Sequence, residues 1–258
     1  MSLSVVMPVY NEQEIIEEVV RGIYGKIVSK IPDSEFIIVN DCSTDSTLSI
    51  LKKLGRELGK IRVITPKKNG GHGKAIRLGF LNAKKDWVFH IDSDNEYEPA
   101  EYWKLDELKG KYDIILGYRK QRKDPLNRLI TTRLARLVNF LLFGSLIKDT
   151  NSAFKLMNRK ALHHIISVLP NDAFAYSILT SIMGRHLGYR ITEIPVTHFG
   201  RKAGKRHYIG WKLMKGVFRG GWDMLSLRAK SFRLPGEEHS KAEKIRKGRF
   251  FGRKLLKK

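Results

Sequence analysis

Short apolar runs alternate with amphipathic stretches over the first hundred residues of the chain. The apolar runs predict buried strands at residues 4–9, 36–39, 61–64 and 87–91. Between them, apolar residues recur every three or four positions, which predicts helices that end at about residue 28 and that span residues 45–58 and 73–83. Continuous apolar strands separated by amphipathic helices are typical of a parallel sheet. The fold class is therefore predicted to be α/β, with a mostly parallel central sheet and helices on both faces.

The pattern is weaker after residue 101. It predicts strands at residues 114–116 and 191–196, a helix at residues 127–143 and partial helix over residues 208–232. The last two dozen residues are rich in Gly and Lys, which is typical of a mobile tail. We therefore divide the chain into a main domain at residues 1–206, an amphipathic segment at residues 207–232 and a basic tail at residues 233–258.

Polar and acidic residues follow three of the predicted strands. They occupy residues 8–12, 40–45 and 92–96, directly after the first, second and fourth strands. In parallel sheets of this kind, ligands bind at the carboxyl ends of the strands. The three clusters therefore predict a ligand site at that edge of the sheet.

Asp92 and Asp94 carry the most specific signal. Side chains two residues apart on an extended chain point the same way, so both carboxylates can face one divalent cation. Mg²⁺ and Mn²⁺ prefer such oxygen ligands and bridge readily to a diphosphate. The alternative for an isolated pair is an acidic turn that caps a strand. The apolar strand before the pair and the two similar clusters upstream favour the metal site.

Two further features suit a nucleotide ligand. The carboxylate of Asp41 can accept hydrogen bonds from a base or a ribose, although it could also cap the following helix. The glycine-rich segment at residues 69–74 opens a predicted helix and permits close backbone approach to phosphate or ribose. Its spacing is not that of a P-loop.

Seven short motifs follow one another between about residues 2 and 206. They are Pro-Val-Tyr-Asn-Glu at residues 8–12, Asn-Asp-Cys-Ser-Thr-Asp at 40–45, Asn-Gly-Gly-His-Gly-Lys-Ala at 69–75, Asp-Ser-Asp-Asn-Glu at 92–96, Gly-Tyr-Arg at 117–119, Asp-Thr-Asn-Ser-Ala-Phe-Lys at 149–155, and Glu-Ile-Pro-Val at 193–196 with Arg201 and Gly204 after it. In this order they resemble glycosyltransferase family 2, which has the GT-A fold. The sequence is most similar to dolichol-phosphate mannose synthases and related polyprenyl-phosphate glycosyltransferases.

The resemblance implies a metal-dependent, inverting transfer of a hexose or N-acetylhexosamine from a GDP- or UDP-sugar to a polyprenyl phosphate. The residues that it implies for the nucleotide-sugar are Pro8, Tyr10, Glu12, Asp41, Gly73, Lys74 and Asp92. Asp92 and Asp94 would bind the divalent metal, Mg²⁺ or Mn²⁺. The residues that it implies for the acceptor phosphate are Arg119, Arg128, Thr132 and Arg201, with Lys205 or Arg206; taken singly, each arginine could instead belong to a solvated basic face.

The chemistry of the acceptor leaves an alternative open. A phosphate monoester is anionic at neutral pH, so it needs cations to position it and no general base. A saccharide or protein hydroxyl would need a carboxylate base, for which Asp149 and Glu96 are the candidates. With Asp94, these two complete the set of candidate catalytic residues. The chain departs from the family at Glu96, where relatives often have Gln, and at Ala153, where the Asp-x-x-Ser-Gly-Phe element has Gly.

The formal net charge of +23 also predicts an anionic partner. Residues 228–258 contribute +9 of it, from 12 Lys and Arg minus 3 Glu. A nucleic-acid-binding protein is therefore a rival hypothesis, but the acidic clusters would repel a phosphate backbone, so we expect no nucleic acid. Cys42 is the single cysteine, which fits a reducing compartment.

An apolar stripe at helical spacing follows the main domain. It consists of Trp211, Met214, Phe218, Trp222 and Leu225. Such a helix can lie in the interface of an anionic membrane or pack on the body of the protein, and the sequence leaves both open. No run of about 18 apolar residues and no signal peptide is recognised. We therefore expect a cytoplasmic protein, bound peripherally to the cytoplasmic face of a membrane.

Overall fold

A seven-stranded mixed sheet forms the centre of the protein. The computed structural model describes residues 2–119, 140–141, 147–150, 152–199, 219–227 and 229. The strands are β1 (Leu3–Val9), β2 (Ser34–Asn40), β3 (Ile61–Ile64), β4 (Trp87–His90), β5 (Ile114–Arg119), β6 (Lys155–Asn158) and β7 (Ile191–Val196). Their order in the sheet is β3-β2-β1-β4-β6-β5-β7. Strand β6 runs antiparallel to β4 and β5, and the other pairs are parallel, so the predicted mostly parallel sheet is confirmed.

Helices cover both faces of the sheet, as the sequence predicts. They are α1 (Ile16–Lys26), α2 (Thr47–Leu58), α3 (His72–Asn82), α4 (Tyr102–Asp106), α5 (Arg159–Val168) and α6 (Tyr176–His186). Successive residues of a strand point to opposite faces. In β1, Val5 belongs to one buried cluster with residues of α1, α2 and α4, whereas Val6 belongs to a second with residues of α3, α5 and α6. The alternation therefore places apolar side chains in two hydrophobic layers, one on each face of the sheet.

The structure agrees with the sequence most closely in the first hundred residues. The first helix ends at Lys26, and a 3₁₀ turn over Val28–Lys30 follows where the sequence predicted a longer helix. Strand β6 and helices α4, α5 and α6 were not predicted. The helix predicted at residues 127–143 lies outside the described residues except for 140–141, which are helical, and residues 219–227 are helical within the predicted 208–232. No helix in the described part of the chain is long and apolar enough to cross a membrane.

Gly79 allows α3 to lie directly on the sheet. A Cβ atom at this position would come within 2.4 Å of Cγ1 of Val6 and 3.3 Å of Cγ2 of Val39. Both valines are fully buried, so neither can move away without disturbing the core. Since α3 begins in the glycine-rich segment, this contact also sets the height of that segment above the sheet.

We predict that Gly79→Ala lowers the free energy of unfolding by about 1–3 kcal/mol, because the added methyl group overpacks the core. The matched control is Gly22→Ala in α1, where a Cβ atom would meet nothing within 4 Å. That substitution should raise the free energy of unfolding by up to about 1 kcal/mol, through helix propensity alone. Urea denaturation measures both values, and equal effects at the two positions would contradict the packing argument.

Candidate active site

Six of the seven motifs converge on one edge of the sheet. Strands β1, β2 and β4 are parallel neighbours, so the segments that follow them leave from the same edge. Strand β6 runs the opposite way, and its first residue, Lys155, lies beside His90 at the end of β4. Strands β5 and β7 are parallel to each other and end together at Arg119 and Val196. The antiparallel strand therefore brings the motif at residues 149–155 to the edge where the other strands end.

Asp41 fixes the seventh motif, the glycine-rich segment, against the end of β2. Its carboxylate is almost fully buried, and its two oxygens accept hydrogen bonds from the backbone N–H groups of Gly70 (2.8 Å) and Gly71 (2.7 Å). The backbone oxygen of Asp41 accepts a third, from Nδ2 of Asn69 (2.7 Å). Asp41 is thus placed at the predicted edge, where its carboxylate orders the segment that opens α3.

Gly73 and Lys74 occupy the first turn of α3. A Cβ atom on Gly73 would lie 2.5 Å from the backbone oxygen of Phe174 and 2.6 Å from that of Ala173. The missing side chain is therefore required by backbone packing inside the protein, a role that the sequence did not suggest. Lys74 is exposed beside it.

Hydrogen bonds join the segment after β1 to the segment after β2. The backbone N–H of Asn11 donates to Oγ of Ser43 (3.0 Å), and that of Glu12 donates to Oγ1 of Thr47 (2.9 Å). Pro8 is buried in β1, Tyr10 is half-buried, and the Glu12 side chain is buried. Four of the residues predicted for the nucleotide-sugar, Pro8, Tyr10, Glu12 and Asp41, therefore lie on these two neighbouring segments and the strand ends that carry them.

Two histidines lie beside the carboxylate of Asp92. Burial alone would raise the pKa of Asp92, but interactions with His72 and His90 outweigh it and lower that pKa to about 2. Nε2 of His72 and Nε2 of His90 lie 3.7 Å and 3.5 Å from Oδ1 of Asp92. This oxygen is buried and has no hydrogen-bond partner among the described residues. Two residues on, Oδ1 of Asp94 accepts a hydrogen bond from the backbone N–H of Glu96 (3.2 Å).

The donor set at this edge suits a hard divalent cation that shares its ligands with a substrate. The described residues contain no group of three or more His, Cys, Asp or Glu side chains that could hold a metal ion by themselves. Mg²⁺ in phosphate-transfer sites is commonly held by one or two carboxylates, with substrate phosphates and water completing the shell. Asp92 and Asp94 offer those two carboxylates, and the buried oxygen of Asp92 has no competing hydrogen bond within the described part of the chain.

Arg119 and Asp149, predicted for different roles, form one buried ion pair. Nε of Arg119 lies 2.7 Å from Oδ2 of Asp149, and Nη2 lies 2.9 Å from Oδ1, so the contact is bidentate. Asp149 itself is held by its backbone N–H, which donates to Oε1 of Glu193 (3.3 Å). Both carboxylate oxygens of Asp149 are thus engaged by a guanidinium group, which positions Arg119 at the edge of the sheet.

Lys155 has a fully buried side chain beneath the same edge. Its Nζ donates to the backbone oxygens of Thr150 (3.1 Å) and Ser177 (2.5 Å) and to the hydroxyl groups of Ser177 (2.9 Å) and Ser181 (2.8 Å). Burial lowers the pKa of Lys155 to about 7, although the carboxylates of Asp149 and Asp92 act in the opposite direction. The residue links the 149–155 motif to helix α6.

Glu96 meets a residue that the sequence did not single out. Its Oε2 lies 2.9 Å from Nε2 of His198, just beyond β7, and both side chains are largely buried. No local spacing signals this contact, because the two residues lie 102 positions apart. His72 stands inside the glycine-rich motif and Lys155 ends the motif at residues 149–155, so both could have been noticed there, whereas His90 lies within a strand and outside every motif.

Five of the residues predicted for the acceptor phosphate lie outside the described residues. They are Arg128, Thr132, Arg201, Lys205 and Arg206. Arg119 is the described member of the set. The roles of all six therefore stay predictions.

The fold and the site together define an α/β protein of the GT-A class, with acidic clusters at the carboxyl edge of its sheet. The model of Glycosyl transferase family 2 matches residues 4–166, and the chain belongs to this family. A relative from Edwardsiella ictaluri, undecaprenyl-phosphate 4-deoxy-4-formamido-L-arabinose transferase, is 29% identical over 214 residues. The match covers 82% of this chain and 64% of the relative, so the chain spans somewhat less than two thirds of that protein's length.

Solved structures show the same fold at low sequence identity. Glucosyl-3-phosphoglycerate synthase from Mycobacterium tuberculosis superposes with a TM-score of 0.66 at 20% identity, over 88% of this chain and 80% of that one. A mannosyltransferase from Pyrobaculum calidifontis, solved with GDP-mannose and Mn²⁺, gives a TM-score of 0.63 at 17% identity, over 93% and 68%. These likenesses confirm the GT-A fold.

Proposed function

We propose that the protein transfers a hexose or N-acetylhexosamine from a GDP- or UDP-sugar to a polyprenyl phosphate at an anionic membrane surface. A phosphate oxygen of the acceptor attacks the anomeric carbon, the bond from that carbon to the diphosphate breaks, and the nucleoside diphosphate leaves with inversion. Family membership supports the class of reaction, and the named relative supports a polyprenyl-phosphate acceptor. The base of the nucleotide and the identity of the sugar are part of the proposal.

The observation that carries the proposal is the state of the two candidate bases. Asp149 is engaged by Arg119 through both oxygens, and Glu96 accepts a hydrogen bond from His198. A carboxylate held in this way is a poor proton acceptor, since proton uptake would break a charge-assisted contact. An acceptor that is already an anion avoids the need for such a base. The arrangement therefore favours a phosphate over a hydroxyl group.

In this proposal the two anionic substrates bind at separate places on the edge of the sheet. Asp92 and Asp94 would hold a divalent ion, which when bound neutralises the diphosphate and stabilises it as a leaving group. Asp41 and the glycine-rich segment present the ends of β2 and α3 to the nucleoside side of the donor. Arg119, aligned by Asp149, gives the acceptor phosphate a cation whose direction is fixed.

We expect purified protein to transfer sugar from one donor in a panel of UDP- and GDP-sugars to a short-chain polyprenyl phosphate in the presence of Mn²⁺. Asp94→Asn should reduce transfer roughly 100-fold or more, because it removes a metal ligand. The control is Asp33→Asn, since Asp33 is 64% exposed, pairs with Lys85 and precedes β2 at the opposite edge. Product formation is followed by thin-layer chromatography of labelled lipid.

The outcomes separate the alternatives for the acceptor. Donor hydrolysis that depends on metal, without transfer to the lipid, would replace the polyprenyl phosphate by a hydroxyl acceptor. Transfer that survives Asp94→Asn and EDTA would contradict the metal-dependent donor site.

The membrane surface is proposed from the helix at residues 219–227. One face packs on the protein through Met224 and Leu227, which are buried, and through Asp223, whose Oδ2 accepts from the backbone N–H of Phe174 (2.7 Å). On the same helix Trp222 is 70% exposed and Leu225 is 52% exposed. The helix packs on the body of the protein and also presents an apolar face, whereas Trp211, Met214 and Phe218 of the predicted stripe lie outside the described residues. An exposed Trp and Leu on a strongly basic protein suit the interface of an anionic bilayer.

Replacing both Trp222 and Leu225 by Ala should weaken binding to vesicles of phosphatidylcholine with phosphatidylglycerol by about tenfold, because apolar area no longer enters the interface. Leu81→Ala is the matched control, since Leu81 is 44% exposed on α3. Flotation measures the bound fraction, and light scattering measures the oligomeric state. Unchanged vesicle binding would contradict the membrane role, and loss of an oligomer would assign the face to a second copy of the chain.

A further inference from the structure

The segment that follows β7 folds back along the loop that follows β4. The backbone N–H of Phe199 donates to the backbone oxygen of Glu96 (2.7 Å), and His198 forms an antiparallel bridge with Tyr97. Thr197 binds Glu101 twice, through its backbone N–H (3.0 Å) and its hydroxyl (2.6 Å). Residues 197–199 are therefore attached to residues 96–101 by backbone and side-chain contacts.

The side chain of His198 makes the most buried of these contacts. Its Nε2 lies 2.9 Å from Oε2 of Glu96, and the two side chains are 7% and 14% exposed. The imidazole also packs edge-on against the ring of Tyr97, with centroids 5.2 Å apart. A carboxylate this deeply buried is costly without a hydrogen-bond donor, and His198 provides one.

Glu96 belongs to the loop that carries the candidate metal ligands. Its backbone N–H donates to Oδ1 of Asp94 (3.2 Å), so the position of the Glu96 backbone acts directly on Asp94. On the other side, Asn95 has a left-handed backbone (φ 57°), and its Nδ2 donates to Oε1 of Glu18 (3.1 Å). The loop is thus held by α1 through Asn95 and by the segment after β7 through Glu96.

We propose that His198 is a positioning residue of the donor site. Its hydrogen bond to Glu96 holds the loop at residues 94–96 in the shape that presents Asp94 to the metal ion and the diphosphate. The inference rests on one part of the proposed function, the metal-dependent donor site. It does not require the acceptor to be a polyprenyl phosphate.

His198 also stands close in sequence to residues implied for the acceptor. The segment that contains it is followed by Arg201, Lys205 and Arg206, which the family resemblance implies for the acceptor phosphate. The pair of Glu96 and His198 is one of several contacts between the donor loop and residues 197–199, and it attaches the side chain of Glu96. Without the hydrogen bond, the Glu96 carboxylate would turn toward water and the loop would lose a side-chain attachment.

The test is the Mn²⁺-dependent affinity for UDP and GDP, measured by titration calorimetry on the full chain. His198→Phe keeps an aromatic ring beside Tyr97 and removes the donor, so it should weaken the affinity for the bound nucleotide about tenfold. His198→Gln loses the ring but retains an N–H donor, and it should stay within about threefold of wild type. The affinity without Mn²⁺ should be the same for all proteins, because the effect acts through Asp94.

Thr197→Val is the matched control. It removes a hydrogen bond from the same segment to Glu101 and leaves Glu96 untouched, so its affinity should equal that of wild type within about twofold. If His198→Phe does not fold, as judged by circular dichroism, the same contrast is made at the partner. Glu96→Gln retains an acceptor for Nε2–H and should bind more tightly than Glu96→Met.

Three results would overturn the inference. One is equal affinity in wild type and in both His198 variants. Another is weaker binding by His198→Gln than by His198→Phe, which would assign the effect to ring packing. The third is no nucleotide binding by the wild-type protein, which would also remove the donor site from the proposed function. Nucleotide binding without transfer to lipid would contradict only the proposed acceptor. The inference about His198 would then be decided by the nucleotide affinities of wild type and the variants.

Discussion

The carboxylate of Asp41 is the contact on which the candidate donor site depends. It is buried, directly follows β2 and accepts hydrogen bonds from two successive backbone N–H groups of the glycine-rich segment. A buried carboxylate left without donors would be strongly unfavourable, so the segment has one low-energy position. That position fixes the start of α3. From there Gly73 meets the backbone of residues 173–174, which in turn is bound by Asp223 of the helix at residues 219–227. The proposed membrane-facing helix and the glycine-rich segment therefore both contact the backbone of residues 173–174.

The antiparallel strand β6 has a comparable effect on the other half of the site. Because it runs against β4 and β5, the motif that precedes it reaches the carboxyl edge of the sheet. Lys155, at the first position of β6, is fully buried and donates hydrogen bonds to Thr150, Ser177 and Ser181. Asp149, which pairs with Arg119, belongs to the same motif, so the direction of β6 and the contacts of Lys155 together place the partner of the residue proposed for the acceptor.

The sequence was sufficient for the parts of the fold that local patterns determine. The apolar runs of β1 to β4 and the spacing in α1 to α3 predicted those elements, and the strand-end rule predicted that residues 8–12, 40–45 and 92–96 would meet. Strand β6 was missed because its four residues begin with a lysine whose burial depends on acceptors from α6, far along the chain. The contact of Glu96 with His198 was missed because the two residues lie 102 positions apart in the sequence. Gly73 was predicted for the nucleotide-sugar, and the close approach that it permits inside the protein is to backbone oxygens of residues 173–174.

A titration of Mn²⁺ followed by electron paramagnetic resonance tests most directly whether this edge is a metal–diphosphate site. Two carboxylates fill only part of an octahedral shell, so the protein alone should bind Mn²⁺ weakly. Addition of UDP or GDP should raise the affinity beyond that of the nucleotide alone, and Asp94→Asn should abolish the increase. Tight Mn²⁺ binding without nucleotide, or an increase that survives Asp94→Asn, would contradict a donor site built on Asp92 and Asp94.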